Sequence, residues 1–193
     1  MTYEQIQQLI SNRHSSYPAQ LSGERISTEK IQNLLELAKW APTHRKTEPW
    51  RFQVFSGKSL LQLLGAKKEW LKTQNLAEDM LQKKVSKFDQ MAKQVSHILS
   101  ISVAFDEMKR VPQWEEIAAT AAAVQNMYLG MDSLEIAGYW STGNTDSNES
   151  RNYLNLSDHE RHLGWLFLGE KQKDLPSPRR IRKPTSEYTI WHV

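Results

Sequence analysis

The chain has 193 residues, 39% hydrophobic and 24% charged, enough apolar material for one folded domain and too much for a disordered one. It contains no cysteine, so disulfides, thiolate metal sites and cysteine nucleophiles are excluded. The net charge of +3 is a tail property: residues 171–193 hold six Lys/Arg and two acidic residues, whereas the rest has 19 Lys/Arg against 20 Asp/Glu.

The first residues show no basic stretch leading into an apolar run, so no signal peptide is expected. The longest uncharged stretch, Ile117–Met131, is too short and too polar to span a bilayer. A cytoplasmic protein with no membrane partner is the expectation, as a single domain over 1–193 with 171–193 as an extended basic C-terminal tail.

Thr2 followed by Gln5 makes a capping box, and Ile6, Leu9 and Ile10 then share one face of a first helix ending near Ser11–Asn12. Ser15–Arg25, with Pro18 and Gly23, reads as a loop. A second helix begins around Ser27 or Thr28. Ile31, Leu34, Leu35 and Ala38 form its buried stripe, and Pro42 is expected to end it. Trp50, Phe52 and Val54 alternate with polar residues, predicting a strand that stops at Ser56-Gly57. Ser59–Lys68 predicts a short helix. Lys72–Lys93, highly charged, predicts an exposed helix or covering lobe.

Leu99, Ile101, Val103 and Phe105 predict a second strand. Trp114–Ala137 is the longest helical pattern. Its small-residue run at Ala118–Ala123 marks the central packed helix, with Gly138 as its stop. Gly138–Asn144 then reads as a polar-aromatic loop. Gly164–Gly169 is a short apolar strand, and the remainder, punctuated by Pro176, Pro178 and Pro184, is extended. Helices outnumber strands and do not alternate with them regularly, which argues an α+β fold.

Three segments carry candidate chemistry. Arg13-His14-Ser15 offers a forked guanidinium and a hydroxyl where the first helix ends, the elements of an anion cradle. Ala41–Trp50 is a polar loop stiffened by Pro42 and Pro49 between a helix and a strand. Tyr139-Trp140-Ser141-Thr142 offers hydroxyls beside two glycines. No glycine-rich nucleotide loop is present. His159 and His162 read as surface residues on a helical turn, without the carboxylate spacing of a metal site.

Taken in order, these segments resemble the nitroreductase family of flavoproteins, in particular its short members. Arg13-His14-Ser15 matches the family's Arg-Arg-Ser, with histidine for the middle arginine. Ala41-Pro42 and Pro49-Trp50 match its helix-to-strand passage. Lys109–Trp114, Tyr139–Gly143 and Gly164–Gly169 follow in the family's order. The resemblance implies an α+β sandwich with a mostly antiparallel sheet, assembled as an intertwined homodimer with flavin mononucleotide (FMN) at the interface.

By the same resemblance, Arg13, His14 and Ser15 hold the phosphate and ribityl end. His44 approaches the flavin, Trp40 comes from the other subunit, and Trp140, Ser141 and Thr142 line the cofactor. Arg180 and Arg182 match a basic pair that grips the phosphate in longer members. Gly130–Glu135 matches where nicotinamide contacts fall. Histidine at 14 and tryptophan at 40 each replace an arginine that the family more often carries.

The implied reaction is ping-pong transfer of electrons from NADH or NADPH through FMN to a nitroaromatic or quinone. The cofactor carries the chemistry, and no catalytic residue and no metal is assigned. Two alternatives stand beside it. One is another flavin reaction on the same scaffold, reductive dehalogenation or flavin breakdown, with Lys72–Lys93 as the candidate lid. The other is a non-enzymatic nucleic-acid binder working through the basic tail, which the body charge disfavours.

Overall fold

The computed structural model describes residues 1–143, 147–173 and 181–193. The capping box is present: the Thr2 hydroxyl accepts the Gln5 N–H at 3.3 Å, and the Gln5 side chain accepts the Thr2 N–H at 2.9 Å. It starts α1, Tyr3–Asn12. Ile6, Leu9 and Ile10 are 41%, 39% and 52% exposed, so this apolar face is left uncovered by the chain's own residues.

Ser27 caps α2, Thr28–Ala38, whose Ile31, Leu34 and Ala38 are buried. The helix stops at Ala38, short of Pro42, because residues 39–41 tighten into a turn with Trp40 N–H on the Leu37 carbonyl. β1, Trp50–Ser56, leads into α3, Gly57–Lys72, longer than the expected 59–68 because Ser56 caps its start and Leu71 continues the buried side set by Leu60, Leu63 and Leu64. α4, Glu78–Gln94, contains no buried residue. Its Phe88, Met91 and Ala92 rest against the core beneath it.

β2, His97–Ala104, is buried along its whole length. The long helical pattern resolves differently from the expectation. α5 covers Gln113–Gly130, and a 3-10 turn at Asp132–Leu134 with left-handed Glu135 (φ 58°) redirects the chain. Gly130 sits where Leu37 of α2 presses in, and a side chain there would collide with the leucine.

Gly138 is therefore no helix stop. It lies inside β3, Ala137–Ser141, so the expected polar-aromatic loop is mostly strand; Asn144 lies outside the described residues. A short helix that the hydrophobic pattern did not announce, α6, spans Asn148–Leu154. β4 is also longer than expected, Glu160–Gly169. His159 and His162 thus do not share a helical turn. His162 is 1% exposed, with its ring edge-on to Trp165 at 4.5 Å.

The four strands form one antiparallel sheet in the order β1-β2-β4-β3. One core joins α2 and α5 to the face carrying Leu99, Ile101, Leu166 and Leu168. The other joins α3, α4 and α6 to Ile98, Trp165 and Phe167. The result is the α+β sandwich, with α5 as its central packed helix.

His97 gives the fold a mild-acid liability. It is buried with Ser96 Oγ 2.9 Å from Nδ1, and burial, together with the nearby Arg25 charge, pushes its pKa below the ordinary value. A histidine depressed in the folded state stabilises the fold above its unfolded pKa of about 6.5, and that contribution is lost as pH falls below it. Urea unfolding is expected to show falling stability from pH 7.5 to 5.5, with a shallower slope in His97→Gln. Equal slopes in the two proteins would contradict this assignment.

Candidate functional site

At the end of α1 the chain turns through Arg13, His14 and Ser15, and the Ser16 N–H stitches it to β3 by donating to the Gly138 carbonyl at 2.8 Å. His14 Nδ1 lies 2.9 Å from the Asn12 carbonyl. The Arg13 guanidinium is half-buried and lies 5.3 Å from the centroid of the Tyr128 ring. Among the described residues it pairs with no carboxylate.

Tyr128, in the last turns of α5, ties this cluster together. Its hydroxyl accepts the Trp140 N–H at 2.7 Å. Burial pushes the phenol's pKa up, opposed by the Ser15 hydroxyl, the Trp140 N–H and the Arg13 charge. A hollow of about 500 Å³ opens beside it, lined by Arg13, His14, Tyr128, Gly138, Lys171 and Lys173. Carboxylates of Asp132, Glu135 and Glu170 line it too; Glu135 is engaged by Lys30 at 2.7 Å. Lys171 is positioned by a bridge between its backbone and Leu21.

A defect in the sheet sets the orientation of Trp140. Between Ile101 and Ser102 the register with β4 shifts, so that Ile101 faces Gly164 and Ser102 faces His162. Leu163 is the extra residue of this bulge, and its carbonyl accepts the Trp140 indole N–H at 3.1 Å. Gly164, at φ 143°, lets the indole lie against the backbone. Ser141 ends the strand, and its hydroxyl accepts the Gly143 N–H at 3.4 Å; Thr142 is exposed.

The second predicted segment lies elsewhere. Its turn contains three non-glycine residues in the left-handed region, Arg45 (φ 53°), Lys46 (φ 54°) and Glu48 (φ 45°), a conformation that costs on the order of 1 kcal/mol or more per residue. The Thr43 hydroxyl braces the turn by accepting the Glu48 N–H at 3.1 Å. His44 Nδ1 lies 2.7 Å from a carboxylate oxygen of Glu115, in the first turn of α5. Trp40 is 77% exposed, with the Lys39 ammonium 5.8 Å from its ring centroid.

Within one chain, then, Arg13, His14, Ser15 and Trp140 converge, with Ser141 and Thr142 following on the same strand. No described hydrogen bond or ring contact joins Trp40 or His44 to them. Tyr128 anchors the first group and Glu115 holds His44, and the stretch of α5 between them is roughly 20 Å long at about 1.5 Å per residue. Arg182 is exposed, its guanidinium donating to the Ile181 carbonyl at 2.9 Å, and no described contact draws it to Arg13. Arg180 lies outside the described residues. Tyr128, Glu115, Lys171 and Lys173 were not anticipated. The available signal for Tyr128 was one large, polar-tipped side chain near the end of an alanine-rich helix.

Comparison with known proteins places the chain and its fold. The model of the Nitroreductase family matches residues 10–170. A relative from Escherichia coli strain K12, provisionally named as the NAD(P)H nitroreductase YdjA, is 24% identical over 185 residues, covering 95% of this chain and 98% of the relative. Among solved structures, a nitroreductase-like family protein from Bacillus cereus superposes with a TM-score of 0.82 at 22% identity, over 100% of this chain and 98% of the other. The FMN-dependent nitroreductase NfnB from Mycobacterium smegmatis, solved in complex with NADPH, gives 0.74 at 16% identity, over 98% and 99%. The span of the family match, the order of the motifs and the shared fold lead to one conclusion: the chain belongs to the nitroreductase family.

Proposed function

We propose that this protein is an FMN-dependent NAD(P)H oxidoreductase that reduces nitroaromatic or quinone-like acceptors and works as a homodimer with two flavin sites at its interface. The observation that carries the reading is Arg13: a half-buried guanidinium with no carboxylate partner among the described residues, held beside a hollow large enough for a cofactor. A phosphate fits at the Arg13 side of this hollow, where the guanidinium fork shares the lining with Lys171 and Lys173 and the Glu135 carboxylate is already engaged by Lys30. The M. smegmatis relative in fold, FMN-dependent and solved with NADPH, supports the choice of cofactor and donor.

In this reading Arg13, His14 and Ser15 hold the phosphate and ribityl end, and Trp140, Ser141 and Thr142 flank the ring system. The partner's Trp40 and the partner's His44 complete the site, which accounts for their distance from Arg13 within one chain. The uncovered face of α1 gives the second copy apolar surface to bury. Bound FMN supplies two-electron transfer from NADH or NADPH to the acceptor in alternating half-reactions. The protein's part is to orient the cofactor and the acceptor and to exclude water around them.

The test is direct. Protein incubated with excess FMN and passed through a desalting column is expected to stay yellow and to oxidise NADH or NADPH with menadione in a ping-pong pattern. A colourless protein after that treatment would overturn the proposal.

A further inference from the structure

We infer that His44 and Glu115 form a proton-delivering pair, with Glu115 fixing the imidazole through Nδ1 and Nε2 handing a proton to the acceptor as it is reduced. The inference rests on the flavin reading above and adds to it a residue that touches substrate.

The geometry is that of a base held by an orienting carboxylate. Glu115 Oε2 lies 2.7 Å from His44 Nδ1, so the carboxylate, which only accepts, takes the Nδ1–H. Nε2 has no hydrogen-bond partner among the described residues, and the side chain is 51% exposed against 27% for Glu115. The ring is thus pinned on one side and open on the other. Glu115 is itself steadied by its place in the first turn of α5, where a negative charge meets the positive end of the helix dipole. Arg45, Lys46 and Glu48 share the turn of His44, and the left-handed conformations there argue that the imidazole's position is maintained against local cost.

The chemistry calls for such a group. Reduction of a quinone to a hydroquinone consumes two electrons and two protons. Bound flavin would supply both electrons and one proton as hydride, which leaves the second oxygen in need of a proton from elsewhere. Protonated His44 supplies it from Nε2 and regains one from water, so atoms and charge balance. Glu115 acts through the histidine and is a positioning residue.

Two measurements decide the matter. In the flavin-free protein, ¹⁵N NMR of the His44 ring, assigned by its loss in His44→Gln, is expected to show the neutral imidazole carrying its proton on Nδ1. Glu115→Gln is expected to abolish that preference. In the flavin-loaded enzyme, turnover is compared for menadione, which must take up protons, and ferricyanide, which takes only electrons. The menadione-to-ferricyanide ratio is expected to fall about a hundredfold in His44→Gln, the lower range for general acid catalysis, and about tenfold in Glu115→Gln. A proton residing on Nε2 in the unsubstituted protein, or a ratio unmoved in either variant, overturns the inference while leaving the flavin assignment intact. A protein that takes up no flavin overturns both.

Discussion

Arg13→Ala is expected to raise the dissociation constant for FMN about 30- to 150-fold, the equivalent of a charge-assisted hydrogen bond worth roughly 2–3 kcal/mol. The reason lies in what remains. The family's second motif arginine is His14 here, and its Nδ1 is already engaged by the Asn12 carbonyl. On the proposed reading Arg13 is the main phosphate ligand, with Lys171 and Lys173 lining the same hollow. Titration with riboflavin, which lacks the phosphate, separates this role from general packing. The unsubstituted protein is expected to prefer FMN, and Arg13→Ala is expected to lose that preference. Equal weakening toward both ligands would place Arg13 somewhere other than the phosphate.

The largest stability loss is expected at Gly164. A Cβ there would lie 2.5 Å from the Ser141 carbonyl and closer still to the Trp140 indole, at a φ of 143° that other residues avoid. Neither obstacle is a flexible side-chain end: one is strand backbone, and the other is a ring fixed by its bond to the Leu163 carbonyl. Overpacking and backbone strain together predict that Gly164→Ala costs about 3–5 kcal/mol, or roughly 10 °C in melting temperature. Gly65→Ala is the control: it lies inside α3 with nothing within 4 Å of the added carbon, so a gain of about 0.5–1 kcal/mol is expected. A thermal melt showing Gly164→Ala within about 1 kcal/mol of the parent would refute the clash argument.

Local chemistry was readable in the sequence wherever it was self-contained. Thr2 and Gln5 cap each other, Ser27 caps α2, and the alternation of Leu99, Ile101 and Val103 marks a strand because each signal involves close neighbours only. The failures were nonlocal. Gly138 reads like a helix stop, yet the helix ends at Gly130, where Leu37 of another helix closes in. The bulge at Leu163 disturbs the pairing of β4 with β2, and His162 beside it, expected at the surface, is buried.

The candidate site divides the same way. Arg13-His14-Ser15 was visible as a donor-rich turn, and its meaning came from the order of motifs along the chain. That Arg13 and Trp140 meet over Tyr128 follows from tertiary packing between segments more than a hundred residues apart. The pairing of His44 with Glu115 was equally hidden, because it joins a loop to the start of a helix 71 positions away.

The span of α5 between its two anchors has a consequence for how the protein behaves on dilution. If one end of the helix serves the phosphate side of one flavin and the other end the acceptor side of its twin, an isolated chain owns two halves that it cannot combine. Cofactor retention then obeys mass action between chains: flavin binding and subunit association each strengthen the other, and dilute protein loses its colour before it loses its fold.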